Sequence, residues 1–188
     1  MVQQTILNGI NTSELSDAMR FMKENPELGN YRFHATHNWI EGAHCRTTIK
    51  DFWAGGHVVD TSRDREHIID ADEPTSLLGH DHGANATEAL LHALASCLSA
   101  TFVYHATAQG VHVEEIELQL EGNIDLNGFL GLDDSVRKGY ESICVNFKVK
   151  ADASREKLQE LCEYAQMHSP VFDIVSHPVE VLVSLETC

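Results

Sequence analysis

The sequence predicts an α+β fold, an antiparallel sheet around one long central helix. Three observations predict it. Residues 86–106, ATEALLHALASCLSATFVYHA, read as a single apolar helix. The segments IELQLE (116–121), ICVNFKV (143–149) and VEVLVSL (179–185) alternate apolar and polar residues, so each has one buried face. A second amphipathic helix precedes the last of these segments, which places the helices on one face of the sheet.

Residues 11–25, NTSELSDAMRFMKEN, form the first expected helix. Asn11 with Glu14 supplies a capping box, and Leu15, Ala18, Met19 and Met22 mark one face. Pro26 closes it. The face is narrow, so this arm is expected to pack on something larger. From Tyr31 the period becomes two, in YRFHA and, after the Glu41-Gly42 turn, in CRTTI. GHVVD adds a third short strand. Residues 71–84, with Pro74, Gly79 and Gly83, read as loop.

The long helix follows. Asn85 is its N-cap, Glu88 stands at the third position of a capping box, and Gly110 ends it. That gives roughly 24 residues, about 36 Å. It is apolar nearly all round and is expected to be buried on most sides. NIDLNGFLGLDDSVRKGY (123–140) is a long loop of the kind that is often functional or interfacial. A helix spans 154–168, with Leu158, Leu161, Cys162 and Ala165 on its apolar face. Ser169-Pro170 then caps and starts a short helical turn.

The 188 residues accommodate an N-terminal helical arm (1–30) and one domain (31–188). The net charge of −16 repels phosphate backbones and anionic lipid, which excludes nucleic acid and favours neutral or apolar small molecules. No stretch is expected to approach the roughly 20 apolar residues of a membrane span. The N-terminus lacks the basic and apolar regions of a signal peptide. The 5 cysteines, at 45, 97, 144, 162 and 188, are widely spaced with no CxxC, which fits a cytoplasmic protein with reduced thiols.

Ala86, Ala89, Ala93, Cys97 and Ala100 fall three or four residues apart and form a seam of small side chains. Such a seam lets two backbones approach closely, and the simplest partner of equal length is the same helix of a second copy. Cys97 lies on that seam. One reading makes it packing, since free cysteine buries as a small hydrophobe. The other makes it a thiolate, which needs a cation from outside the helix, an arginine for choice, because Cys97 lies beyond reach of the helix dipole. Glu88, His92, Ser96 and Ser99 form a polar stripe, read either as a capped start with satisfied polar groups or as pocket lining. His80 and His82, in GHDHG, could hold a metal only if His67 or a remote carboxylate completed the set. A mobile acidic loop is the preferred reading, and no metal or cofactor is expected.

The stretch GANATEALLHALASCLSATFVYHATAQGV, with EIELQLEG, AQMHSPVFDIV and HPVEVLVSLE, resembles the OsmC/Ohr family, the osmotically inducible and organic-hydroperoxide-resistance proteins. The resemblance runs from about Tyr31 to the C-terminus, and the arm resembles that of a longer OsmC-like branch. It implies an intertwined dimer, with two long helices at the centre and sheets outside. It also implies an active site in which a cysteine of the long helix attacks a peroxide. In that family a second cysteine, before a proline, resolves the sulfenic acid, and an external dithiol reduces the disulfide. An arginine from an early strand and a glutamate at the start of the long helix position the thiolate.

Carried over residue by residue, the peroxidatic position falls on Cys97 and the arginine on Arg46. The resolving position falls on Ser169, which cannot form a disulfide. The family glutamate falls on Thr87, with Glu88 one residue on and about 100° around the helix. Cys162 sits on an apolar helix face, and Cys144 points away from Ile143, Val145 and Phe147. The resemblance thus implies a homodimer in which Cys97, Arg46 and Glu88 reduce an organic hydroperoxide or related electrophile. His92 and Ser169 would contact substrate, and an external thiol would take the place of the resolving cysteine. The alternative is a non-catalytic dimer that holds a small apolar ligand at its interface.

Overall fold

A computed structural model describes residues 5–55, 58–60 and 63–187. These fall into two compact units, Thr5 with Asn11–Leu90 and Ile6–Ile10 with residues 91–187. All strand pairings with a described register are antiparallel.

The first unit holds helix α1 (Thr12–Glu24) and two three-stranded sheets. One sheet joins β3 (Arg32–Phe33), β6 (Phe52–Ala54) and β7 (Val58–Asp60). The other joins β4 (Thr36–Glu41), β5 (His44–Ile49) and β8 (His67–Ala71). β7 answers the strand expected at GHVVD, of which Gly56 and His57 lie outside the described residues. α1 starts as its cap chemistry predicts: Asn11 Oδ1 accepts from the Ser13 and Glu14 N–H groups at 3.1 and 3.3 Å. The expected packing of α1 is slight, with Leu15 half-buried. None of its residues is buried, and Met19, Phe21 and Met22 are exposed. Among the described residues this unit buries no apolar side chain, and rings stacked at 5.5–6.1 Å between Tyr31, Phe33 and Phe52 take the place of a core.

The long helix α2 (Ala86–Ala108) runs from the first unit into the second. Its reciprocal capping box is present. Glu88 N–H donates to Asn85 Oδ1 and Asn85 N–H donates to Glu88 Oε2, both at 2.9 Å. Gly110, at φ 74°, ends the helix in the left-handed region that favours glycine.

In the second unit, β9 (Val113–Gly122) pairs with β10 (Ile143–Ala151), setting Ile116 opposite Val149, Leu118 opposite Phe147 and Leu120 opposite Val145. That apolar face meets Phe102 and Ala106 of α2 and Leu161 and Ala165 of α4 (Arg155–His168), all fully buried. Full burial of a side chain such as Phe102 stabilises by about 1.5–3 kcal/mol. The hairpin of β1 (Ile6–Leu7) and β2 (Ile10–Asn11) turns on Asn8-Gly9, both at positive φ. The Asn8 side chain pins this turn to the end of α2, donating to Thr107 Oγ1 and Val111 O and accepting from Val113 N–H at 2.8–3.0 Å. A short helix, α3 (Leu126–Phe129), sits in the long loop, and α5 (Pro170–Ser176) follows Ser169.

Three expectations are corrected. α2 is not buried on most sides. Its chain covers one stripe, Leu94, Leu98, Phe102 and Ala106, four residues apart, together with Thr107. With 23 residues and a mean hydropathy of 1.3, α2 also matches a membrane span in length and composition, though its stripe packs as a core helix does. Finally, VEVLVSL is not a strand. Residues 178–187 have no regular structure, and Val181, Leu182, Val183 and Leu185 are 75–91% exposed. Alternation marks a face that wants burial, but a strand also needs a neighbour for its backbone groups, and none pairs with this segment among the described residues.

His105 of α2 meets the edge of Tyr164 at 4.3 Å between ring centroids, and Tyr164 stacks on His168 at 3.8 Å. Burial, then the charge on His168, holds the His105 pKa below its ordinary value. A neutral His105 therefore contributes stability that is fully present above the unfolded value of about 6.5 and is lost as pH falls from there through the depressed folded value. The urea midpoint is expected to fall more between pH 7.5 and 5.5 in the parent chain than in His105→Gln.

Candidate functional site

Cys97 lies near the middle of α2, one position before the buried Leu98, which places it about 100° around the helix from the covered stripe. It is half-buried. Its carbonyl accepts from Thr101 Oγ1 at 2.8 Å, while its thiol makes no hydrogen bond among the described residues. In the same unit, His92 is exposed. Ser169 is 1% exposed and its hydroxyl oxygen caps α5, accepting from Phe172 N–H at 3.2 Å. A hydroxyl so engaged serves the fold first. Cys162 is also half-buried, and burial, followed by the charge of Glu163, pushes its thiol pKa up. That makes it a poor nucleophile. With Leu98, Val145, Phe147, Gln166 and Phe172 it lines a mostly apolar cavity of about 190 Å³.

Arg46 and Glu88 lie in the first unit. Glu88 is exposed and occupied by the capping box. Arg46 of β5 stands directly opposite Asp70 of β8 and grips it through two bonds, Nε to Oδ1 at 2.8 Å and Nη2 to Oδ2 at 3.1 Å. His44 Nε2 lies 3.0 Å from the same Oδ1. The bond from Arg46, then that from His44, holds the Asp70 carboxyl below its usual range, and Asp70 in turn raises Arg46. Sequence reasoning missed Asp70, because its pairing depends on the β5–β8 register and no local pattern encodes that.

A second group missed in the sequence is Asp72, buried just beyond β8. It accepts from the N–H groups of Glu73, His80 and His82 at 2.8, 3.1 and 3.3 Å, and its Oδ2 lies 2.7 Å from His82 Nδ1. Burial pushes the carboxyl up, but these donors, the His82 side chain foremost, outweigh it and hold the pKa at about 2. The carboxylate is therefore ionised at neutral pH, and Nδ1 of His82 must carry the donated proton. The imidazoles of His82 and His44 stack at 4.4 Å with 13° between their planes. The loop 72–84, expected to be mobile, is organised around this one carboxylate.

Residues 79–184 match the OsmC family, described as OsmC-like protein. The fold is similar to that of an OsmC-like protein from Mycoplasma pneumoniae, with 16% identity, a TM-score of 0.57, and coverage of 78% of this chain and 89% of that one. It is also similar to an organic hydroperoxide resistance protein OsmC from Legionella pneumophila, with 14% identity, a TM-score of 0.52, and coverage of 77% and 90%. At these identities the likeness is one of fold. Among curated proteins, none matches the chain.

The capping box separates structural from chemical roles at the start of α2. Asn85→Ala is expected to cost about 1 kcal/mol in chemical denaturation. Glu88→Gln keeps an acceptor for the Asn85 N–H and is expected to leave stability within about 0.5 kcal/mol of the parent.

Proposed function

The chain belongs to the OsmC-like family, and from that premise we propose that it reduces organic hydroperoxides or related electrophiles through Cys97, with an external thiol as reductant. The observation that carries this reading is the Cys97 thiol itself, half-buried and without a hydrogen bond among the described residues, near the middle of a helix that lies within the family match. In the first step the Cys97 thiolate attacks the terminal oxygen of ROOH. The O–O bond breaks, ROH leaves with a proton, and Cys97 becomes a sulfenic acid. An external thiol then displaces water to form a mixed disulfide, and a second thiol releases Cys97 as a thiol with formation of the external disulfide.

The outside reductant is proposed from the resemblance, which puts Ser169 at the resolving position. The Ser169 oxygen already caps α5. The buried, raised thiol of Cys162 is poorly suited to replace it. Arg46 is the cation proposed to favour the thiolate, and Asp70 must share or release it for that purpose. Glu88 or His92, both exposed, would order the arginine or the substrate.

The same proposal includes a homodimer. The seam Ala86, Ala89, Ala93, Cys97 and Ala100 is exposed or half-exposed in the single chain. The alternating apolar segment 179–185 has no strand partner among the described residues. A second copy would cover the seam and supply a sheet edge for that segment, as in an intertwined pair. The charge of −16 suits a neutral, apolar hydroperoxide better than an anionic one.

One observation favours the second reading, a non-catalytic ligand binder. The cavity beside Cys162 is mostly apolar, with Gln166 in its lining, and comparable in volume to the roughly 150 Å³ cavities that hold benzene. It would take a small hydrocarbon group, and then melting temperature would rise with such a ligand in Cys97→Ala as in the parent.

The test of the first reading is exposure of the protein to an alkyl hydroperoxide with a sulfenic-acid trap and a small thiol. The adduct is expected on Cys97, and peroxide consumption is expected to drop to the uncatalysed rate in Cys97→Ala. Absence of label at Cys97, or undiminished consumption by Cys97→Ala, ends the proposal.

A further inference from the structure

The loop that follows β8 carries a group that the thiol chemistry does not use. We propose that Asp72, His80 and His82 form a binding site for a late first-row divalent cation such as Zn²⁺, held by a carboxylate oxygen and one ring nitrogen from each histidine. Ligand atoms of the three side chains lie within 4.8 Å of one another. Two imidazoles and one carboxylate are a donor set suited to zinc and its neighbours, whereas calcium and magnesium prefer oxygen alone.

The carboxylate is unusual for this chain. The Asp72 side chain is fully buried, and its described partners are N–H donors rather than lysine or arginine. A buried anion beside the ring nitrogens of two exposed imidazoles draws a cation. Entry is from solvent, since both His80 and His82 are exposed. The overall charge of −16 draws cations toward the surface.

The site is also built. Asp81, at φ 59°, bends the chain so that the rings of His80 and His82 lie 5.8 Å apart. Backbone packs against backbone at both ends of the loop. A side chain at Gly79 would put its Cβ 1.8 Å from Glu73 O, and one at Gly83 would put it 2.2 Å from Asp70 O. The His82 ring is fixed from behind by its stack on His44, which Asp70 and, through Asp70, Arg46 hold in turn. Outer contacts of this kind orient metal-binding imidazoles. The sequence raised a metal at His80 and His82 only if a remote carboxylate or His67 completed the set, and Asp72 is such a carboxylate. None of these residues belongs to the proposed thiol machinery except Arg46, two contacts away, so the site stands or falls apart from peroxide reduction.

The test is calorimetric titration of metal-stripped full-length protein with Zn²⁺, with Co²⁺ absorption as a second readout. Saturable binding of one ion per chain is expected, with visible Co²⁺ bands. His80→Gln keeps the backbone bond from residue 80 to Asp72 and is expected to bind at least about tenfold more weakly, with an unchanged melting temperature in the absence of metal. His67→Gln, outside the cluster, is expected to keep the parent affinity. No saturable binding, parent affinity in His80→Gln, or an equal loss in His67→Gln overturns the proposal.

Discussion

The contact on which the structure turns is the stripe of Leu94, Leu98, Phe102 and Ala106 down one side of α2. Phe102 and Ala106 meet the apolar faces of β9 and β10 and the buried side of α4, and this is where the second unit keeps its core. A helix of 23 largely apolar residues with one covered stripe has spent only part of its capacity for burial. The remainder includes the seam of small residues and Cys97. The thiol is therefore placed by the same geometry that leaves the helix half covered. It is close enough to the stripe to be held rigidly and far enough around to stay half open.

The first unit is held together by different means. Without a buried apolar side chain among its described residues, it relies on antiparallel ladders, stacked rings and carboxylates that gather donors. Asp70 joins Arg46 and His44 across two strands, and Asp72 gathers three backbone N–H groups and an imidazole into one loop. A polar network of that kind fixes positions well but contributes little burial, so the unit shares the second unit's need for cover. Exposed Trp39, Ile68 and Ile69 express the same deficit.

Much of this was legible in the residues alone. Caps are local chemistry, so Asn11, Asn85, Ser154 and Ser169 mark the starts of their helices as expected. Alternation predicted β9 and β10 and the outward position of Cys144. β6 (FWA) and β8 (HIIDA) escaped notice because their apolar residues stand side by side and show no alternation. Of the site, the sequence placed Cys97 on its helix but not Asp70 beside Arg46 or Asp72 beneath His82, since each pairing spans strand register or a folded loop. VEVLVSL shows the opposite limit: its pattern states that a face wants burial, but not which chain supplies the partner strand.

A second copy of this chain is proposed to complete the uncovered side of α2 and the C-terminal segment, which has no strand partner among the described residues. The molar mass of the native protein by light scattering tests it most directly. Twice the 20.9 kDa of one chain is expected, retained on dilution. A mass of one chain at micromolar concentration would contradict it.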